Sequence, residues 1–398
     1  MGLIKRLATP VIIASTIPAV VSAEGLERVN IDTSFLYENG TYAEVGTGQV
    51  SPSLPATFAG PLAGLPKRDN VAPSFSVFTG AFKTQLGEAI DIGVWYTNNG
   101  NGVNIDWGSV GATTIFADVA MPTLSGIVKY NLSENVSLLG GIKHTTLNGG
   151  SSMKLPLSAT AFGQYTVESA SASGAVYGVS YQRPDIALRV EVLAEEAISL
   201  SPTTNYFVNA TPLSGEASMG VGDAITLKFQ TGIAADTLLF GSIRDSKWKN
   251  NQVGLPTLPG APLAEVSTFE DGQSYTLGIG RRINENLSVS ASLFSDPSTG
   301  GNTGISELSP TYGTNAISLG AKIGVSDNAS LSVGGTYTQK GDVASTGAYG
   351  GVLSNSTITS FGAKFSYNFL GIPLRSVLFI VINARCRQRA FLSLVNVV

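Results

Sequence analysis

Apolar residues alternate with small or polar residues along most of the chain from Thr41 to Phe369. In residues 287–293, for example, leucine, valine and alanine alternate with three serines. Successive side chains of a β-strand point to opposite faces, so this period of two predicts strands with one apolar and one polar face. A soluble sandwich and a membrane barrel both have this pattern, and alternation alone leaves the two open.

The connections between the predicted strands alternate between short and long. Asn and Asp recur in the short turns, where they tolerate the backbone angles of tight hairpins. The long connections are rich in Gly, Ser, Thr and Pro. The short turns centre on residues 87–88, 133–135, 183–185, 234–236, 284–286 and 326–328. The long connections cover residues 53–72, 99–112, 147–170, 199–220, 246–272 and 297–314.

Six short turns with both chain ends on the same side imply fourteen strands. Outer-membrane barrels have short periplasmic turns, long external loops and an even number of strands. We therefore predict an all-β fold, a transmembrane antiparallel β-barrel of about 14 strands spanning residues 41–369. The predicted strands cover residues 41–51, 73–86, 89–97, 113–130, 136–146, 171–182, 186–195, 222–230, 237–245, 273–283, 287–294, 316–325, 329–339 and 357–369.

Composition favours the membrane barrel over a soluble domain. Only 13% of the residues are charged, about half the usual fraction of a soluble domain. The formal net charge of -4 combines basic ends with an acidic body, which argues against a nucleic-acid partner. Because Cys386 and His144 are the only residues of their types, disulfide frameworks and Cys/His zinc sites are excluded within the chain. We expect no cofactor.

The two ends of the chain differ from the predicted barrel. Residues 1–23 have a basic start, an apolar stretch and small residues before Glu24, which predicts a secretory signal peptide. The aromatic strand ending at Phe369 is typical of barrels whose last strand is read by the barrel-assembly machinery. Residues 370–398 are basic and lose the alternation. They are either an interfacial segment or an extension without a selected role.

Residues 24–40 precede the first strand and contain an apolar cluster, Phe35, Leu36 and Tyr37. Side chains of the wall cannot fill a barrel of fourteen strands, so such a barrel is either an open pore or plugged. We expect residues 24–40 to fold into the lumen as a hatch. The alternative is a frayed N-terminal extension.

Alternation also assigns charged side chains to the lumen. The inward cations outnumber the inward acids, which suits a ligand with an apolar tail and a carboxylate. The inward cations are Lys129, Lys143, Arg189, Lys228, Arg244, Arg282, Lys322 and Lys364. The inward acids are Asp91, Glu191 and Glu195. Inward Trp95, Leu139, Phe240 and Phe294 are candidates to line the path of the tail. For each cation, pairing with a lumenal acid is the alternative.

Several segments together resemble one family. Residues 25–28 (Gly-Leu-Glu-Arg) and 35–44 (Phe-Leu-Tyr-Glu-Asn-Gly-Thr-Tyr-Ala-Glu), followed by Val-Ser-Pro at 50–52, are similar to the hatch and first strand of FadL-type long-chain fatty acid transport proteins in their alphaproteobacterial form. Residues 181–189, 229–240 and 275–282 extend the resemblance over most of the barrel.

The resemblance implies a fourteen-stranded barrel plugged by an N-terminal hatch. It also implies passive uptake of long-chain fatty acids or other hydrophobic compounds across the outer membrane, with lateral release at an inward kink of the wall. Residues 97–102 are glycine-rich, and Asn99, Gly100 and Gly102 are the expected kink. Because the family binds its cargo in the external half of the barrel, Lys143 and Arg244 become the strongest candidates to bind a carboxylate.

Proteins of two other classes also form outer-membrane barrels. A general diffusion porin for small hydrophilic solutes is the alternative function, although porins have no N-terminal plug. An outer-membrane enzyme would need a base beside a nucleophile, and His144 is predicted to face lipid or a loop. The chain has no glycine-rich phosphate loop or nucleophile elbow. We therefore expect no enzymatic activity.

Overall fold

The computed structural model describes residues 25–59, 63–110, 113–156, 162–208, 210–310, 312–347 and 350–369. The predicted signal peptide, residues 1–23, and the basic tail, residues 370–398, lie outside these ranges. Within the described residues, no helix has both the length and the hydropathy needed to cross a membrane. The helical residues of these ranges form two short 3-10 helices, Ser34–Tyr37 and Pro184–Ile186.

Fourteen strands of the described residues form one closed antiparallel barrel, which confirms the predicted fold. Each strand pairs with the next in the chain, and the last pairs with the first from Tyr42↔Asn368 to Ser53↔Thr357. The barrel strands are β1 (Tyr42–Ser53), β2 (Phe75–Leu86), β3 (Ile90–Val110), β4 (Thr113–Asn131), β5 (Val136–Leu147), β6 (Ala170–Arg183), β7 (Leu188–Glu195), β8 (Asp223–Ala234), β9 (Thr237–Lys247), β10 (Gly272–Asn284), β11 (Leu287–Asp296), β12 (Thr314–Ser326), β13 (Ala329–Lys340) and β14 (Thr357–Asn368).

Short turns join the strands at one end of the barrel, the turn end, and long connections join them at the other, the loop end. The long connections, described from the sequence only as rich in Gly, Ser, Thr and Pro, contain strands of their own. β3 continues to Val110 through residues predicted as a loop, because β4 supplies hydrogen-bond partners as far as Thr113. The other loop strands are Ala56–Phe58, Ser152–Pro156, Phe162–Val167, Ile198–Leu200, Thr203–Val208, Thr211–Glu216, Met219–Val221, Gly254–Leu255, Ala264–Glu265, Thr303–Ile305, Ser345–Thr346 and Gly351–Leu353.

The outer face of the barrel is apolar. Leu277, Leu293 and Ile317 are cross-strand neighbours on β10, β11 and β12, and Leu293 is 61% exposed. Exposed tyrosines lie on the same face, among them Tyr130 and Tyr181 near the turn end and Tyr337 near the loop end. A continuous apolar belt of this kind is stable in lipid and not in water. The outer face is therefore suited to a bilayer.

The described residues form two large apolar clusters at different heights of the interior and a small third one of Val50 and Val77. The loop-end cluster joins the long connections to the upper ends of the strands and includes Trp107, Tyr165, Tyr206 and Trp248. The turn-end cluster surrounds Phe35 and Leu36. Leu26 belongs to the loop-end cluster, so residues 25–40, here called the N-terminal segment, extend from one cluster to the other.

Candidate functional site

The N-terminal segment places its apolar cluster against inward-facing side chains of the wall. Phe35 and Leu36 are fully buried and pack with Trp95 of β3, Ile127 of β4 and Leu139 of β5. Both residues belong to the 3-10 helix Ser34–Tyr37, whose buried side chains are these two. Gly93 of β3 leaves room for them, since a Cβ there would lie 2.4 Å from the Phe35 ring. Full burial of each of these large apolar side chains stabilises the fold by about 2 kcal/mol.

Tyr37 lies between two of the predicted lumenal cations. Lys129 Nζ is 4.8 Å from the centre of its ring, and the Arg189 guanidinium is 4.2 Å from the same ring. The Tyr37 hydroxyl donates a hydrogen bond of 2.6 Å to Glu191, which also accepts one from Thr33. Cations attract the face of an aromatic ring, so Arg189 contacts the N-terminal segment.

A chain of four buried charges joins the N-terminal segment to the wall. Lys143 Nζ and Arg244 Nη1 donate to the two carboxylate oxygens of Glu195, at 2.8 and 2.6 Å. Arg244 also donates to both oxygens of Glu27, with Nε 3.1 Å from Oε2. Charged groups are buried only when they are paired. Lys143 and Arg244, the strongest sequence candidates for a ligand carboxylate, are therefore each held by carboxylates of the protein.

Other lumenal cations are paired in the same way. Asp91 lies between Lys83 and Lys129, at 2.7 and 3.0 Å. Lys364 Nζ is 2.9 Å from Glu44. Among these residues, Glu44 and the Glu27 of the N-terminal segment are acids that the sequence pattern did not assign to the lumen. The cationic excess predicted from alternation is correspondingly smaller.

A cavity of about 280 Å³ lies between the N-terminal segment and the wall. We call it the lumenal chamber. Its lining includes most of the predicted ligand-binding residues, while Lys143 lies behind Glu195 and Lys322 lies on β12 between Ser288 and Ser332, outside the lining. The predicted residues in the lining are Trp95, Arg189, Lys228, Phe240, Arg244 and Phe294.

β3 has a bulge at the residues expected to form the kink. Its pairing with β4 stops at Thr97↔Thr123 and resumes at Asn101↔Met121, so three residues of β3 face Pro122 alone. Proline has no N–H to donate to the ladder, which favours a bulge opposite it. The bulge bonds instead to the N-terminal segment. Gly100 O accepts hydrogen bonds from two backbone N–H groups, those of residues 28 and 29, at 2.9 and 3.0 Å.

Arg28 of the N-terminal segment is also fixed at the bulge. Its Nη1 donates to Asn99 Oδ1 at 2.8 Å, and its guanidinium lies 4.2 Å from the centre of the Phe75 ring. Burial lowers the pKa of the Arg28 guanidinium to about 10, opposed by the charge of Asp118. Arg28 is therefore still a cation at neutral pH.

The bulge interrupts the wall between β2 and β3. Their pairing ends at Thr79↔Thr97, although β2 continues to pair with β1 as far as Val50↔Phe75. The backbone N–H of Phe78 donates instead to the side chain of Asn98, at 2.7 Å. Residues 75–78 of β2 and 98–100 of β3 thus flank a gap in the strand ladder, here called the wall gap.

The loop-end cluster encloses a small apolar cavity of about 20 Å³. Leu26 of the N-terminal segment contributes to its lining, together with the flexible side chains of Met153 and Met219. Methionine adapts to ligands of different shape. Sequence patterning does not predict this cluster, because many of its residues come from long connections in which apolar positions have no regular period.

Three comparisons place the fold among known proteins. No family model matches the chain, and no curated protein matches it by sequence. Solved structures do match. A Pseudomonas aeruginosa FadL homologue superposes with a TM-score of 0.69 at 13% identity, covering 84% of this chain and 92% of that chain. The Pseudomonas putida toluene transporter TodX superposes with a TM-score of 0.64 at 11% identity, covering 87% of this chain and 96% of that chain.

The Ralstonia pickettii toluene transporter TbuX gives a TM-score of 0.58 at 13% identity, covering 83% of this chain and 90% of that chain. The likeness extends over nearly the full length of these proteins. The fold is therefore that of FadL-type barrels, as the sequence resemblance implied.

Proposed function

We propose that this chain is an outer-membrane transporter for passive uptake of long-chain fatty acids or other hydrophobic compounds through a plugged barrel with lateral release. The wall gap carries the proposal. It is the place where the strand ladder is open toward lipid and where the N-terminal segment bonds to the wall. The toluene transporters TodX and TbuX support it, since they have the same fold.

The path has three stages. Cargo enters the loop-end cluster, whose apolar side chains take it out of water. It then displaces the upper part of the N-terminal segment, which acts as the hatch, and leaves between β2 and β3 into the bilayer. Transfer from water to lipid supplies about 0.8 kcal/mol per methylene, so the route needs neither a nucleotide nor a cofactor.

The general diffusion porin is the less favoured alternative. A porin needs a wide water-filled channel, whereas the N-terminal segment here extends across the lumen from Leu26 to Leu36. For assembly, we propose that the barrel-assembly machinery binds the aromatic last strand. The Phe369 N–H donates to Thr41 O at 2.8 Å, and its ring packs edge-on against Tyr367.

Deleting Asn99 and Gly100 tests lateral release. The deletion removes the two extra residues of the bulge, so that β3 pairs without interruption and the wall gap closes. We expect uptake of oleate and of dodecane to fall to the level of cells without the protein, measured in a Gram-negative host that lacks a transporter of this type.

Deletion of Gly300 and Gly301 is the matched control, because it also removes two residues but from an exposed loop. Its uptake should stay unchanged. Heat-modifiable mobility in gels reports whether each barrel has folded. A folded variant without the bulge that still takes up both compounds at the normal rate would rule out release through the wall gap.

A further inference from the structure

The charges that line the lumenal chamber are balanced. Four acids and four cations contribute to the lining among the described residues. They are Asp32, Glu44, Glu191, Glu195, Arg189, Lys228, Arg244 and Lys364. Arg244 pairs with Glu195, and Lys364 pairs with Glu44. An ionised ligand would have to separate such pairs, which leaves a charge without its partner in a low-dielectric site.

Lys228 is the most accessible of the paired cations. Its side chain is 32% exposed, and its Nζ lies 3.9 Å from a Glu191 oxygen. It also donates to Ile31 O at 3.1 Å and to Thr33 Oγ1 at 3.2 Å, both in the N-terminal segment. Protein oxygens on three sides therefore occupy the Lys228 ammonium, and the guanidinium of Arg189, another partly exposed cation of the lining, lies on the face of the Tyr37 ring.

The far wall of the chamber carries hydroxyls and aromatic rings. Inward Ser274 of β10, Ser290 and Ser292 of β11 and Ser318 of β12 face it. Ser318 exchanges a 2.8 Å hydrogen bond with Thr336 of β13. The rings of Phe240 and Phe294 lie on the same wall. Hydroxyls both donate and accept, so this wall can bind one uncharged polar group beside an aromatic face.

We propose that the lumenal chamber binds uncharged single-ring compounds with one hydroxyl, of the alkylphenol class, and excludes the corresponding carboxylates. Its volume of about 280 Å³ lies near the lower end of small-molecule pockets, roughly 300 Å³, which favours one ring over a long chain. The proposal rests on the uptake function and narrows it, since it favours the other hydrophobic compounds over fatty acids as the cargo of this chamber. Binding, however, is measurable without uptake.

Calorimetry on the purified full chain in detergent tests the proposal with para-propylphenol and para-propylbenzoate at neutral pH. We expect the phenol to bind at least about tenfold more tightly than the carboxylate. Ser290→Leu and, as a second variant, Ser292→Leu fill the chamber and should each weaken phenol binding at least about tenfold. Ala291→Leu is the matched control, because the same side chain is added to the outer face of the same strand.

Two further variants test the charge balance. Glu191→Gln removes the carboxylate beside Lys228, and Glu44→Gln removes the one beside Lys364. Each folded variant should gain binding of para-propylbenzoate. Equal affinity of the unaltered protein for phenol and carboxylate would overturn the proposal, as would unchanged phenol binding in both filled variants. If the purified protein binds the phenol but cells do not take it up, the binding site is supported and the transport function is not.

Discussion

Gly102 has a backbone conformation that other residues rarely adopt. Its φ is +146°, and a Cβ at this position would lie 2.2 Å from the carbonyl oxygen of Val119 on β4. At Gly100 a steric contact alone disfavours other residues, since a Cβ at this position would lie 2.5 Å from Thr123 Oγ1. The Gly102 N–H also donates to Leu26 O at 2.7 Å. These two glycines let β3 approach β4 and the N-terminal segment closely.

We expect Gly102→Ala to destabilise the barrel by about 2 kcal/mol, because it introduces strain at a positive φ and a clash with backbone. The midpoint of urea unfolding, followed by heat-modifiable mobility, measures the change. Gly126→Ala is the control: Gly126 lies on neighbouring β4 with open space around its Cβ position. Equal midpoints of urea unfolding for the two variants would show that an alanine at position 102 is not strained.

Glu27 connects the N-terminal segment to Arg244, and the two side chains are 7% and 6% exposed. Glu27→Gln leaves Arg244 and Lys143 to share one carboxylate, that of Glu195. Breaking a buried pair costs about 3 kcal/mol, so we expect the upper N-terminal segment to leave the wall. Trypsin should then cleave after Arg28 faster than in the unaltered protein.

Glu270→Gln is the control for this experiment, because Glu270 forms an exposed ion pair with Lys249. Exposed pairs contribute little, and the cleavage rate should not change. If trypsin cleaves after Arg28 no faster in either variant than in the unaltered protein, other contacts, such as the hydrogen bond from Arg28 to Asn99, are sufficient to keep the segment on the wall.

Sequence alone located the inward cations better than the inward acids. A period of two places Lys143, Lys364 and Arg244 on the inner face, where Lys143 and Arg244 are buried and Lys364 is half-buried. Glu27 and Asp32 belong to a segment without regular strands, so no periodicity could assign their direction. The ligand role predicted for the cations depended on an inward charge excess that these acids and Glu44 reduce, although Lys83 is an inward cation that the pattern also missed.

At the scale of elements, turn chemistry determined the strand count. Asn or Asp marks five of the six tight turns, and the six short turns are sufficient to define fourteen barrel strands. The bulge in β3 was expected from glycines and a family resemblance. Pro122 on β4 is an additional local signal, since it cannot donate to β3.

Strands within the long connections were not predictable in the same way. The hairpin formed by Thr203–Val208 and Thr211–Glu216 pairs with Phe162–Val167 from a different connection. Stacking of Tyr165 on Tyr206, with ring centres 5.5 Å apart, contributes to this contact. These strands form because of contacts between segments that are distant in the sequence. The strand propensity of one segment by itself carries no information about such contacts.

The whole molecule combines an apolar outer belt with an interior divided by the N-terminal segment. The segment contacts the loop-end cluster through Leu26, the bulge through Arg28 and the turn-end cluster through Phe35. These contacts lie at three heights of the barrel, and in the proposed transport route the segment is displaced at its upper end while Phe35 and Leu36 remain buried. A displacement of this kind would open the path to the wall gap without opening a channel for water.

We therefore expect purified protein in planar lipid bilayers to show little steady current. Deletion of residues 25–40 should produce a large stable conductance, because a barrel of fourteen strands is too wide for wall side chains to close. The variant lacking Gly300 and Gly301 controls for nonspecific leakage and should remain closed. If the unaltered protein conducts as strongly as the variant without residues 25–40, the segment does not obstruct the lumen and the general diffusion porin becomes the better description.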